Sequence, residues 1–473
     1  MKNKNILKIA MLSFGFLFLQ SCDKDDLELE PVIGDVFNGN IESENKLEYT
    51  TNSIYKYYGG GSMYGSGVLV FNDIVSDNVF VSNTNNGYFL TQQGLNWFPD
   101  TGFGIWNEAY DAIIMANIVI NEENLPKTDR VKSLKGEAKL LRAASYFTLL
   151  QYYSSSDTQY EAYGVPLNIG PFDPNLASPR SSVGQVYDQI IKDFTEGINE
   201  MDPNYRQGKK TFFSPIVGKF LLSKVYLTRG ASGDYDKAIA LANEVLAVQA
   251  PIAGNKLLAY FSTPDIAVSE QQPETIFEVE QTNQYNLGVN THLGSFYSNS
   301  GNQRSLLARK WVFDLYDDGD VRKTLFNTAG TPASDEPNKG VWLRKWPRNS
   351  SEGNYMMNVK VFRYTEAKYI VMEALAKKGE SIAALTLLNE HAAERGASAY
   401  SGDALTAILL DKQKEFIGEG HRFFDLKRNK LGFNRKTNCL NCTLEPSNKL
   451  WVLPVALDER TRNPNMSQHP LWK

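Results

Sequence analysis

The chain has 473 residues, 42% hydrophobic and 22% charged, which is enough apolar side chain for a large core and too much for a disordered tail. Its 49 Lys and Arg stand against 54 Asp and Glu, a formal net charge of -5, and no long basic run follows the first few residues. That balance argues against nucleic acid as a partner and fits one large domain or two intimate ones.

Lys2, Lys4 and Lys8 precede an apolar run from Ile9 to Leu19, the order of a secretory signal peptide. The run is shorter than the roughly 20 apolar residues that a membrane span needs. It stops at Leu19-Gln20-Ser21-Cys22, which resembles a bacterial lipobox: the small residue permits cleavage and the Cys22 thiol takes the lipid. Several acyl chains on one residue anchor a protein durably, where a single chain does so marginally. Asp23-Lys24-Asp25-Asp26 is similar to the acidic tag that sends some lipoproteins to the outer face of the outer membrane. Residues 1–21 are therefore expected to be a lipoprotein signal peptide and 22–40 a lipidated tether. A water-soluble body, 41–473, would follow, held at the cell surface through outer-membrane lipid.

Residues 55–101 read as irregular, with Gly59-Gly60-Gly61, Asn83, Asn85, Asn86, Tyr88 and Trp97. Helical periodicity begins at Trp106 to Asn117, with Pro126 as punctuation, and resumes at Gly136 to Phe147, where small residues would let a neighbouring helix approach closely. Ser181 or Ser182 is placed to cap a helix carrying Val186, Ile190 and Phe194. Gly218 to Thr228, a turn at Gly230 and Gly233, and a helix from Asp234 resemble a tetratricopeptide unit. A second such pair runs from Tyr364 to Leu375, through Lys378-Gly379, to Leu388. Between the pairs, 250–357 is rich in Asn, Ser, Gly, Pro and Trp, with one strand-like stretch at Ile276 to Val279. Long irregular segments on a rigid scaffold are usually functional, so the two loop-rich regions are expected to form a binding face.

Catalytic patterns are weak. Glu415, Glu419 and Arg422 fall at spacings expected to pair ions across one helix face. Asp314, Asp317, Asp318 and Asp320 invite a calcium loop, but with Gly319 at the sixth position the twelfth is Leu325, not a carboxylate, so a solvated turn is expected. Cys439 and Cys442 lack the further ligands of a zinc site, and a local disulfide is the simpler reading. No phosphate loop, dinucleotide fingerprint or zinc-protease motif is present, so no enzyme, cofactor or metal is expected. Sugar binding needs aromatic faces for the ring and amides for its hydroxyls, because a buried polar group without a partner is costly. The candidates are Tyr88, Asn96, Trp97, Tyr285, Asn286, Tyr297, Trp342 and Trp346, whereas Trp106 and Trp311 lie in helical patterns and are assigned to the core.

These segments, in order, resemble the SusD/RagB family over most of the mature chain. Gly136-Glu137-Ala138 with Leu141-Arg142-Ala143, Glu274 to Val279, and Arg363-Tyr364 with Glu366 and Glu373 are similar to its motifs. So are Glu419-Gly420 with Arg422, Asp425-Leu426 and Arg428, and Asn463-Pro464 before Gln468-His469-Pro470. Asp411-Lys412 stands where the family commonly has Glu-Arg, and His469 where Asn is common, which would affect local helix pairing. The resemblance implies a mostly α fold of tetratricopeptide-like helical pairs, a SusD-like α-α superhelix with long inserted loops and minor β. Its N-terminal part would be 41–230 and its C-terminal part 231–473. It also implies a glycan or, in some members, a peptide ligand, and a SusC-like TonB-dependent outer-membrane barrel as partner, with a non-catalytic scaffold of that transporter complex as the alternative role.

Overall fold

The computed structural model describes residues 41–83, 85–263, 265–328, 340–348 and 355–473. The expected signal peptide, the lipidation at Cys22 and the tether lie outside them. By its contacts the chain divides into Met1–Glu42 and a body, Ser43–Lys473. Among the described residues no helix is long and apolar enough to cross a membrane.

The body opens with α1 (Glu44–Tyr58), started by Ser43, whose hydroxyl accepts from the Lys46 N–H. The segment expected to be irregular then contains α2 (Gly67–Ile74), β1 (Val79–Val81) and α3 (Leu90–Gly94). Every residue from Val68 to Ile74 is buried, so α2 has no amphipathic period for a sequence reading to detect. Longer helices follow: α4 (Gly104–Ile120), α5 (Asp129–Tyr153), α6 (Val183–Glu200), α7 (Pro215–Arg229) and α8 (Asp234–Val248). Ser182 begins α6 through a full capping box with Gln185. The C-terminal half adds α9 (Tyr364–Lys377), α10 (Ser381–Glu394), α11 (Ala404–Phe416) and α12 (Arg422–Arg428).

Each long helix packs on the next, in the spatial order α1, α4, α5, α6, α7, α8, α9, α10, α11. This is the stack expected of helical pairs. The α5–α6 crossing depends on two glycines: a Cβ on Gly197 would sit 2.6 Å from the Gly136 carbonyl, and one on Gly136 would sit 2.8 Å from Met201. The turn between α7 and α8 uses Gly230 at φ 62 and Gly233 at φ 78, left-handed geometry that glycine adopts without strain.

Strands are few. β1 pairs antiparallel with β3 (Leu306–Ala308), with Phe80 opposite Leu307, and β2 (Thr275–Val279) pairs with β6 (Val359–Arg363). Shorter ladders join β4 (Phe326–Asn327) to β5 (Trp342–Leu343) and β7 (Phe433–Asn434) to β8 (Thr443–Leu444). The β1–β3 ladder is one of the joins between the two loop-rich regions.

Where β6 meets α9 and α11 the core is ionic. The buried Arg363 guanidinium donates to Glu419 (2.8 Å), Glu415 (2.9 Å) and Glu274 (3.2 Å). Glu415 also faces Arg395 and Arg322, each at 3.3 Å, and Glu419 holds Lys345 at 2.6 Å. Burial pushes the Glu415 carboxyl up, but Arg395, Arg363 and His391 together hold it well below the usual carboxylate range. This corrects the expected pairing along one helix face: α11 ends at Phe416, Glu419 lies beyond it, and Arg422 reaches Asp77 instead, at 2.9 Å. Asp320 is likewise no solvated turn residue, being buried and paired with Arg322 at 2.8 Å. The departures at Asp411 and Lys412 are absorbed, since Asp411 accepts from Arg322 and Lys412 donates to Asp425, each at 2.8 Å.

Candidate ligand-binding face

Beyond β1 the chain turns through Asn85, whose Oδ1 accepts from Gly87 N–H at 2.6 Å. Phe89 then takes a left-handed φ of 63 to start α3, and Leu95 one of 49 to end it. Arg304, Lys436 and Asn438, in the loops that meet this one, also have positive φ without being glycine. Such geometry persists only where surroundings enforce it, and it concentrates at functional sites. The enforcement is visible: Tyr88 and Phe89 pack on Phe296, with ring centroids 5.6 and 4.8 Å away.

The opposing segment, 288–304, which carries two short helical turns, meets it through side-chain amides. Asn86 Nδ2 donates to Gln303 Oε1 at 2.8 Å, and Gln303 Nε2 donates to Asn290 Oδ1 at 3.1 Å. The Tyr88 hydroxyl reaches the same Asn290 oxygen at a long 3.4 Å. This relay fixes the orientation of all three amides. It leaves Asn86 Oδ1, an acceptor, and Asn290 Nδ2, a donor, with no protein partner among the described residues, at two exposed positions beside the half-exposed Tyr88 ring.

A third loop, 436–442, closes the far side. Gln93 Nε2 donates to Asn438 O (2.7 Å) and Asn441 Nδ2 to Gly94 O (2.6 Å). The loop springs from Arg435, whose buried guanidinium donates to the carbonyls of Ile74, Ser76 and Gln93. Cys439 and Cys442 are disulfide-bonded within it. Between this loop and the α3 segment lies a cleft of about 300 Å³ bordered by Asn85, Leu90, Gln93, Asn438 and Leu440, with no charged side chain among the described residues of its lining. Leu440, 92% exposed, stands at its rim.

The candidates named from sequence divide sharply. Tyr88 is in the relay, and Asn96 is exposed just past α3. Tyr285 and Asn286 share an exposed turn, where Asn286 Nδ2 donates to Thr282 O and the Tyr285 hydroxyl to Lys56 O. Trp97, Tyr297, Trp342 and Trp346 are core residues, none more than 4% exposed, so no ring face is open to a sugar. Trp97 packs edge-on against Phe103, Tyr297 donates to buried Asp73 (2.9 Å), Trp342 packs with Phe80 and Leu307, and Trp346 donates to Gly418 O (2.7 Å). Trp106 is buried as expected, whereas Trp311 is half-buried under the Lys436 ammonium. Sequence reasoning missed Asn290 and Gln303 because nothing local marks them. Asn86 had a signal in the Asn-rich run before Gly87.

Residues 24–227 match a SusD-like family model described as starch-binding associating with outer membrane, and residues 326–472 match the SusD family model. A SusD-like protein of Bacteroides ovatus is 23% identical over 64% of this chain, an alignment spanning half of that relative. Among solved structures, a SusD superfamily protein from Bacteroides vulgatus superposes with a TM-score of 0.80 at 24% identity, covering 92% of this chain and 100% of that one. The surface glycan-binding protein A of Bacteroides fluxus gives 0.73 at 19% identity, with 90% and 99% covered. A laminarin-binding SusD-like protein gives 0.70 at 20%, with 91% and 100% covered. The two family matches, in order along a stack of helical pairs, place the chain in the SusD/RagB family.

Proposed function

We propose that this protein captures an oligosaccharide or polysaccharide at the cell surface through the face built on Asn86, Tyr88, Asn290 and Gln303. It then delivers the glycan to a SusC-like TonB-dependent outer-membrane barrel while anchored through acyl chains on Cys22. The observation that carries the reading is the amide relay. A sugar offers an apolar ring face and hydroxyls that both donate and accept, and the relay presents a fixed acceptor and a fixed donor beside an aromatic ring. The lining of the adjoining cleft, uncharged among the described residues, favours a glycan over a peptide, whose termini and side chains call for charged partners. The lipobox at Cys22 supports the anchor, and membership of the family supports the barrel.

Binding to an array of gluco-, manno-, xylo- and galacto-oligosaccharides, run beside a library of short peptides, tests the assignment. One glycan class and no peptide is the expected result. Peptide binding with silence from every glycan would refute it.

A further inference from the structure

A second cleft, of about 270 Å³, opens between the end of α1 and the segment leading into α7, floored by Phe277 and Val279 of β2. Its lining includes the rings of Tyr285 and Phe212, each held by neighbouring groups. Tyr285 sits on a tight turn closed by Thr282 N–H to Tyr285 O (2.7 Å) and Tyr285 N–H to Thr282 Oγ1 (3.0 Å), and its hydroxyl is tied to Lys56 O at 2.9 Å. The residue nevertheless stays 39% exposed. Phe212, half-buried, has the Arg206 guanidinium 4.1 Å from its centroid and the Tyr55 ring edge-on at 5.4 Å.

Arg206 does more than cover Phe212. Glu137 and Glu48 hold it, each at 2.8 Å, and it donates to Asn52 Oδ1 at 2.9 Å. That bond fixes the Asn52 amide and leaves its Nδ2 as a donor at the cleft. Thr211 adds a hydroxyl, and Lys56 and Glu280 add one charge of each sign. Among the described residues the Asn52 Nδ2, the Thr211 hydroxyl, the Lys56 ammonium and the Glu280 carboxylate make no hydrogen bond or ion pair. Two aromatic rings with donors and acceptors at the rim suit a ring that is apolar on its faces and hydroxylated at its edge. Opposite charges at the rim favour neither an anionic nor a cationic ligand.

We propose that this cleft is a second carbohydrate-binding site, taking one neutral pyranose between Tyr285 and Phe212 with Asn52, Thr211 and Glu280 on its hydroxyls. The inference rests on the glycan reading above and extends it, because Tyr285 lies five residues before Asn290 of the relay. Five residues of chain span at most roughly 18 Å, so one oligosaccharide can engage both places. The second contact is then intramolecular, and affinity rises with chain length by roughly 10²-fold without any change at the relay.

The test uses the full chain, purified in detergent, on the same array graded in length within each sugar class. In the wild type, affinity for the bound class should rise steeply once the oligosaccharide bridges both places. Tyr285→Ala and Phe212→Ala should flatten that rise by tenfold or more while leaving the shortest binding members held through Asn86. Tyr285→Phe, which keeps the ring, should preserve it. Unchanged length dependence in folded Tyr285→Ala, with binding still lost in Asn86→Ala, overturns the second site alone. Binding lost in Tyr285→Ala but untouched by Asn86→Ala overturns the relay and leaves this cleft standing. Silence of the wild type across the array overturns both.

Discussion

Replacing Arg363 by Met tests whether the motif residues of the C-terminal half hold the scaffold together. The side chain is buried and makes five hydrogen bonds, to the carboxylates of Glu274, Glu415 and Glu419 and to the Glu415 carbonyl. Burial lowers its affinity for a proton, but Glu419, Glu415 and Glu274 raise it well above the ordinary arginine value. The loss is not three times that of one ion pair, because each carboxylate keeps other partners. Glu415 retains Arg395 and Arg322, Glu419 retains Lys345, and Glu274 retains the Thr365 hydroxyl and the Ile252 N–H. The cost should therefore stay near that of breaking one buried pair, about 3–5 kcal/mol. A body of this length melts with about 2 cal/mol/K of entropy per residue, so roughly 1 °C is lost per kcal/mol, and Tm should fall by about 3–5 °C. Thermal unfolding followed by circular dichroism reads this, with Arg363→Lys intermediate because an ammonium cannot fork to several carboxylates. A Met variant within 1 °C of wild type would refute the reasoning.

Three further outcomes follow from the packing. Trp346→Phe removes the indole donor to Gly418 O and should cost about 1–3 kcal/mol in denaturant unfolding while leaving glycan affinity unchanged; lost affinity with intact stability would return this ring to the site. Gly197→Ala places a Cβ 2.6 Å from a backbone carbonyl and should cost about 1–3 kcal/mol, with no loss if α5 and α6 are not in this contact. Burial holds His292 at about 4, below its ordinary value, so the unfolded chain takes up a proton that the folded one refuses. Its contribution is complete above about 6.5 and lost as pH falls towards 4, by at most roughly 3 kcal/mol. Asp73, pushed up to about 7 by burial, opposes this, contributing stability that is lost as pH rises from about 4 through 7. Tm of His292→Gln measured between pH 7 and 4 should fall less than that of wild type, and parallel curves would contradict the assignment.

The helical pairs were legible because their period is local: Gly230 and Gly233 mark one turn, and Ser181 or Ser182 marked a helix start that Ser182 makes. Helix α2 was not, because it is buried on all sides and carries no stripe. For the candidate face, the two loop-rich regions were legible as segments, and the residues that line it were not. The two Asn- and Tyr-bearing segments do meet, joined by β1 and β3, but which aromatic faces outward depends on partners far along the chain. Trp346 is drawn inward by the Gly418 carbonyl, 72 positions away, and Gln303 is aligned by Asn86, 217 positions away. Nothing local encodes either contact. The spacing of Glu415, Glu419 and Arg422 misled for the same reason, since helix periodicity was extended past Phe416, where the helix stops.

Calorimetric titration of the bound oligosaccharide class into wild type, Asn86→Ala and Asn290→Ala tests the central claim most directly. Each variant removes one of the two relay groups left without a protein partner among the described residues, and neither residue is buried. The account predicts wild-type melting curves for both variants and a loss of affinity of about tenfold or more in each, the equivalent of one hydrogen bond at about 1.4 kcal/mol. Wild-type affinity in both folded variants would contradict it.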